Sequence, residues 1–251
     1  MNCSEGGEGR VAIVTGGGVR IGAAIVARLH ADGYRVLIHY RKSLKQAQAL
    51  ADQCNAARAG SAITFAAELG RIEAAETMVK AALDQWQRLD LLVNSASGFY
   101  PTPIGDISED TVAQLFSSNF SAPLFLSQAA WPALREQSGS IVNIVDIYSE
   151  SPLKDHIVYC STKAALRLLT KSLALEFAPS VNVNGVSPGA ILWPEGASSL
   201  SDEKQQELLA KIPLARKGET TDIAGMVAFL ASPAAGYVTG QIIPVDGGRS
   251  L

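Results

Sequence analysis

Short β-branched runs that end at a turn and lead into amphipathic stretches recur along this chain. That alternation limits its fold more than any other feature. Val11–Thr15 is the first such run. A short, continuously apolar segment suits a strand buried on both faces of a parallel sheet. It leads into Gly16-Gly17-Gly18-Val19-Arg20-Ile21-Gly22, and an amphipathic helix follows from about Ile21 to Ala31. Further strands are expected at Val36–Tyr40, Ala62–Ala66, Leu89–Asn94, Ser140–Val145, Val181–Val186 and Gln241–Val245. Helices are expected at Lys45–Ala59, Ile72–Gln87, Thr111–Leu134 (interrupted by Pro123), Ile157–Ala178 and Asp222–Ala231. Such alternation implies right-handed crossovers and an α/β fold, a parallel sheet with helices on both faces. Ligands then lie across the carboxyl ends of the strands.

At 251 residues and 47% hydrophobic content the chain suits a single domain with a large core. That domain spans residues 10–251, after a disordered lead over residues 1–9. Ala190–Ala210, with Trp193-Pro194-Glu195 and a polar helix, reads as a mobile insert. A net charge of −3 gives no general affinity for nucleic acid or for a membrane surface. No apolar run reaches the ~18 residues of a membrane helix. The cysteines Cys3, Cys54 and Cys160 have no metal-ligand spacing, so no metal is expected; they read as reduced thiols of a cytoplasmic protein.

Strand, glycine turn and helix together suit a phosphate. Gly16 lets the backbone approach, and N–H groups at the helix start around Arg20 and Ile21 receive the anion. An ordinary tight turn would read similarly, but a cation at a helix N-terminus is disfavoured by the dipole unless an anion sits there too. About 20 residues past the glycine turn an NAD-binding protein presents an acid to the ribose. Here the segment is His39-Tyr40-Arg41-Lys42-Ser43. Two cations, a histidine and a hydroxyl suit a 2′-phosphate, so NADPH is the expected cofactor; a solvated helix start is the bland alternative. Glu68-Leu69 either flanks an adenine pocket or is a plain loop. After Asn94 come Ser95-Ala96-Ser97-Gly98, small residues along which a cofactor can lie, and then Phe99-Tyr100-Pro101. Pro188-Gly189 comes after the sixth strand.

Tyr159 and Lys163 are one turn apart on a helix and share a face. A free phenol has a pKa of roughly 10, which a nearby ammonium lowers. Tyr159 therefore reads as a general acid, or else the pair belongs to a surface helix. Asp146 closes an apolar run thirteen positions earlier. It is either a strand-end cap or part of the same site.

Taken as a set, Thr15-Gly16-x-x-x-Arg20-Ile21-Gly22, Asn94-Ser95-Ala96, Asn119, Tyr159-x-x-x-Lys163, Pro188-Gly189 and Val245-Asp246-Gly247-Gly248 resemble the short-chain dehydrogenase/reductases over almost the whole chain. The resemblance implies a seven-stranded Rossmann domain and a homotetramer. It also implies that Asn119 holds the lysine through a water, Lys163 grips the nicotinamide ribose and Tyr159 donates the proton. Arg20, Asp146 and Ser95 stand where most members carry glycine, serine and a second asparagine. Arginine in the turn, His39-Tyr40-x-x-Ser43, Ser97-x-Phe99-Tyr100-Pro101 and the Asp146, Tyr159, Lys163 set resemble the pteridine reductases. This implies that Phe99 stacks on a pterin and that Arg20, Ser97, Asp146 and Tyr159 hydrogen-bond it, with Trp193 of the insert bordering the substrate. The chemistry agrees. An ionised carboxylate cannot donate to a ketone oxyanion, but it accepts from ring N–H and amino groups and can relay a proton to a ring nitrogen. The alternatives are an NADPH-dependent carbonyl or 3-oxoacyl reductase, and an NADP(H)-sensing protein without catalysis.

Overall fold

A computed structural model of the chain describes residues 9–191 and 201–251. Seven parallel strands form one sheet: β1 (Val11–Val14), β2 (Arg35–Tyr40), β3 (Ala62–Ala66), β4 (Leu91–Asn94), β5 (Ser140–Ile144), β6 (Asn182–Pro188) and β7 (Ile242–Val245). Their spatial order is β3-β2-β1-β4-β5-β6-β7. The order reverses between β1 and β4, and a crevice opens outside the carboxyl ends at such a switch point. The expected lead over residues 1–9 falls almost wholly outside the described residues. So does Trp193. Of the expected insert, the polar helix Asp202–Leu209 is described.

Eight helices are described: α1 (Arg20–Ala31), α2 (Leu44–Ala57), α3 (Ile72–Trp86), α4 (Glu109–Phe116), α5 (Ala122–Glu136), α6 (Ile157–Phe177), α7 (Asp202–Leu209) and α8 (Thr220–Leu230). Because successive strand side chains point to opposite faces, the sheet separates two cores. Ala12, Val14, Val36, Ile38, Val142 and Ile144 pack with α1, α2 and α8 on one face. Val11, Ile13, Leu37, Leu92 and Ile141 pack with α3, α5 and α6 on the other.

The expected helix over Thr111–Leu134 is broken, but not at Pro123. A π-helical turn over Ser117–Ser121 separates α4 from α5, with Pro123 just beyond it. Pro123 has no N–H, so it withdraws the donor that a continuous α-helix would offer the Asn119 carbonyl. A widened turn at this point is a common resolution of that conflict, and such turns cluster at functional sites. Ser108 caps α4 by accepting from the Thr111 N–H at 3.2 Å. No helix among the described residues is long and apolar enough to cross a membrane.

Candidate active site

The first wall of the crevice is the turn after β1. Thr15 is buried, and its Oγ1 accepts from the Ser95 N–H at 2.9 Å and the Ala96 N–H at 3.0 Å. It ties the ends of β1 and β4 together. Gly16 has φ 62°, and a Cβ there would come within 3.1 Å of the Ala96 Cα, so backbone faces backbone. At Gly22 a Cβ would lie 2.1 Å from the Gly16 carbonyl oxygen, so α1 packs directly on the turn. Val19, at the helix N-cap, makes no side-chain capping bond, and the first turn carries no acid. The helix start therefore fits an anion such as a dinucleotide pyrophosphate. Arg20 is exposed and left-handed, with φ 54°. That conformation costs a residue with a Cβ roughly 1–2 kcal/mol, which explains why glycine suits the position.

His39, expected at the 2′-phosphate, is turned inward instead. It is buried; the Gly16 N–H donates to its Nδ1 at 3.1 Å, and its Nε2 lies 3.1 Å from the Ala67 carbonyl. Both nitrogens are thus occupied by backbone. Burial lowers the His39 pKa, which keeps the ring neutral with its proton on Nε2. It braces the turn from behind and is not a phosphate ligand. Tyr40 packs partly into the core. Arg41 is exposed and pairs with Glu68 at 3.5 Å, and Lys42 is also exposed. An exposed pair of this kind contributes little, so the Arg41 guanidinium remains available. Ser43 Oγ lies beside Gly18 at the same corner. Leu69 packs against the core, and its carbonyl accepts from Ser117 Oγ at 3.4 Å.

Asn94 also departs from expectation. Its side chain is buried and donates to Asn143 Oδ1 at 2.8 Å; Asn143 in turn donates to Thr170 Oγ1 at 2.9 Å. It joins β4, β5 and α6. The following loop is held by Asn119, whose Oδ1 accepts from the Gly98 N–H at 2.8 Å and Ser97 Oγ at 3.2 Å. Its Nδ2 donates to the Gly98 carbonyl and to Thr162 Oγ1, both at 3.0 Å. Phe99, on this loop, is 54% exposed. Its ring stacks on His156 with centroids 4.8 Å apart and meets Tyr159 edge-on, also at 4.8 Å. On the far side, Pro188 ends β6, and a Cβ on Gly189 would lie 2.6 Å from that of Asp246.

Between these walls stand the three ionisable groups. Asp146 follows β5; its Oδ1 accepts from the Tyr148 N–H at 2.9 Å and its Oδ2 from the Tyr159 hydroxyl at 2.7 Å. Lys163, fully buried on α6, donates from Nζ to the Ile144 carbonyl at 2.9 Å. Asp146 thus caps a short 3₁₀ turn and also holds the Tyr159 phenol.

The family model described as enoyl-(acyl carrier protein) reductase matches residues 18–250. Pteridine reductase 1 of Leishmania tarentolae is 39% identical over 96% of each chain. A 3-oxoacyl-(acyl-carrier-protein) reductase of Staphylococcus aureus is 36% identical over 96% of this chain and 98% of its own. L-xylulose reductase of Bos taurus is 36% identical over 96% of each. The chain belongs to the short-chain dehydrogenase/reductase family. It is an oxidoreductase of that family, whose members work with nicotinamide cofactors.

The electrostatics of this short-chain reductase differ from the sequence expectation in one respect. Lys163 does not lower the Tyr159 pKa. Burial raises it well above the usual value, and the Asp146 carboxylate, by charge and by hydrogen bond, raises it further. The lysine instead turns to the Ile144 carbonyl, with Nζ 5.8 Å from the phenol ring centre. Tyr159 is therefore held as a protonated donor. Burial also raises the Asp146 pKa, opposed by the Tyr148 N–H, Tyr159, Lys163 and Arg249. Three positioning groups were not singled out from sequence: Asn143, Thr162 and Thr170. Each is a buried hydroxyl or amide. A polar residue inside an otherwise apolar run, such as Asn143 between Val142 and Ile144, is the signal that marks such a group.

Burial lowers the Lys163 pKa to about 8, and Asp146 is the influence that opposes the fall. The unfolded chain therefore holds more protons between about 8 and the ordinary lysine value, and this group's contribution to stability grows as pH rises through that window. Asp146→Asn removes the carboxylate that favours the ammonium, so the Lys163 titration moves lower. Following the Lys163 Nζ resonance by NMR checks this; an unchanged or higher pKa in the variant contradicts it.

Proposed function

We propose that the protein is an NADPH-dependent pteridine reductase that reduces a C=N bond of a dihydropterin. The observation that carries this reading is the 2.7 Å hydrogen bond from Tyr159 to the Asp146 carboxylate, beside the exposed face of Phe99. Hydride delivered to carbon of a C=N bond leaves negative charge on nitrogen, which must gain a proton. NADPH supplies the hydride when bound. Tyr159 donates the proton, and Asp146 accepts hydrogen bonds from the ring N–H and amino groups that an aminopyrimidine presents. Phe99 offers a flat apolar surface to a heterocycle, where an offset stack adds about 0.5–1.5 kcal/mol beyond area burial. Arg20 and Ser97 border the same space as hydrogen-bonding groups. Lys163 holds the nicotinamide ribose, and Asn119 secures the loop and the lysine's surroundings. The turn from Gly16 to Ile21 holds the pyrophosphate, and the backbone from Ser95 to Ala96 and at Pro188-Gly189 lies along the dinucleotide. Arg41, Lys42 and Ser43 meet the 2′-phosphate. Leu168 and Leu175 are 66% and 82% exposed on α6, which favours pairing of this helix with a second copy, within a cytoplasmic tetramer.

A carbonyl or 3-oxoacyl reductase is the second reading. It is favoured by the upward shift of the Asp146 pKa, because a protonated carboxyl donates to an oxyanion as a serine would. Asp146→Ser separates the two. On the pterin reading, kcat/KM for dihydrobiopterin falls about tenfold to a hundredfold, as expected for losing a charge-assisted hydrogen bond of ~1.5–3 kcal/mol felt in the transition state. Activity on an acetoacetyl thioester stays the same or rises. Equal loss on both substrates, or undiminished pterin reduction, contradicts it.

The cofactor assignment has its own test. NADPH is expected to bind far more tightly than NADH, and Arg41→Asp to narrow or reverse that gap by placing a like charge beside the 2′-phosphate. Dissociation constants measured by fluorescence check this, and equal binding of both by the unmodified protein contradicts it.

A further inference from the structure

Arg249 lies two residues before the end of the chain. A compact turn sets its position. Asp246 Oδ1 accepts from the Gly248 N–H at 2.9 Å, Asp246 Oδ2 accepts from the Ser250 N–H at 2.8 Å, and Gly247 and Gly248 take φ values of 67° and 87°. The turn directs the Arg249 side chain back toward the end of β5, where its Nη2 donates to the Tyr148 hydroxyl at 3.1 Å. The Tyr148 backbone N–H is the group that holds Asp146 Oδ1. One chain of contacts thus runs from the C-terminal tail to Tyr159.

The guanidinium is half-buried, and its hydrogen-bonding partner is a neutral phenol. Among the described residues no carboxylate forms an ion pair with it. Asp146 feels its charge through space, but the two carboxylate oxygens are already bonded to Tyr148 and Tyr159. A guanidinium carries five N–H donors, so most of this one's capacity is unspent. A partly desolvated cation without a counter-ion is unfavourable unless an anion arrives, and the fork of an arginine matches a carboxylate in two-point contact.

We propose that Arg249 is a specificity-determining residue that receives an anionic substituent of the substrate, so that a dihydropterin with a carboxylate-bearing side chain is preferred over one with a neutral side chain. This rests on the pteridine reductase reading. Tyr148 stands between the guanidinium and Asp146 and sets the spacing. The pterin ring lies at Asp146 and Tyr159, and its side chain extends toward the C-terminal tail.

The test compares kcat/KM for dihydrofolate, which carries carboxylates, with that for dihydrobiopterin, which does not. It uses the full-length protein, Arg249→Leu and Arg249→Lys, with the NADPH dissociation constant and thermal midpoint measured for each. Arg249→Leu is expected to lower kcat/KM for dihydrofolate about tenfold more than for dihydrobiopterin, as befits loss of a charge-assisted contact. The change falls mainly in KM. Arg249→Lys recovers part of the preference, and added salt erodes it in the unmodified protein. Equal loss on both substrates overturns the inference and makes the arginine a support of Asp146 or of the tail. Weakened NADPH binding in step with the loss overturns it in favour of a cofactor phosphate. Undiminished preference for dihydrofolate in Arg249→Leu also overturns it. If the unmodified protein reduces neither pterin, the pteridine reductase reading fails and the inference falls with it.

Discussion

The hydrogen bond from Tyr159 to Asp146 closes α6 onto the end of β5, and the remaining site is arranged around it. A buried carboxylate is unfavourable in its charged form and a buried phenol is unfavourable as a phenolate. At 2.7 Å each relieves the other: the phenol keeps its proton, and the carboxylate gains a donor in place of water. Lys163 adds a positive charge nearby while its ammonium is fixed by the Ile144 carbonyl. The three groups therefore titrate as a coupled set, and changing one shifts the others. A serine in place of Asp146 would give a hydroxyl that donates; the carboxylate gives an acceptor. On the proposed reading, that acceptor meets the donors at the edge of the substrate.

Rigid contacts from three directions keep this pair in place. Asn119, in the π turn between α4 and α5, bonds both the loop carrying Phe99 and Thr162, which lies on α6 between Tyr159 and Lys163. The Asn94, Asn143 and Thr170 chain ties the same helix to β4 and β5 lower down. Thr15 and His39 fix the glycine turn to the neighbouring strand ends. None of these contacts needs a ligand to form. The site is thus preorganised, which is how electrostatic groups gain most effect.

Much of this was legible in the sequence. The strand runs and helical stretches place all seven strands, and the turn after β1 and the Tyr159 and Lys163 spacing locate the crevice. The errors have a physical pattern. Side chains of β2 alternate, so His39 shares the face of Leu37, packed beneath α3, and not that of Ile38. Asn94 likewise shares the face of Leu92. When both faces of a strand are apolar, the sequence carries no sign of which way the polar residue at its end will turn. The pKa of Tyr159 could not be read from the helix spacing alone, because burial raises it and, after burial, the carboxylate thirteen positions away raises it further, and both are set by the tertiary fold. The π turn was invisible because Pro123 announces a break without showing where the helix yields.

The central claim is that Tyr159, held protonated by burial and by Asp146, delivers the substrate's proton. Measuring turnover and cofactor binding side by side in Tyr159→Phe tests it directly. The account predicts loss of most dihydropterin turnover, about a hundredfold or more in line with removal of a general acid, with the NADPH dissociation constant nearly unchanged. Near-normal turnover in the variant would contradict it and place the proton source elsewhere.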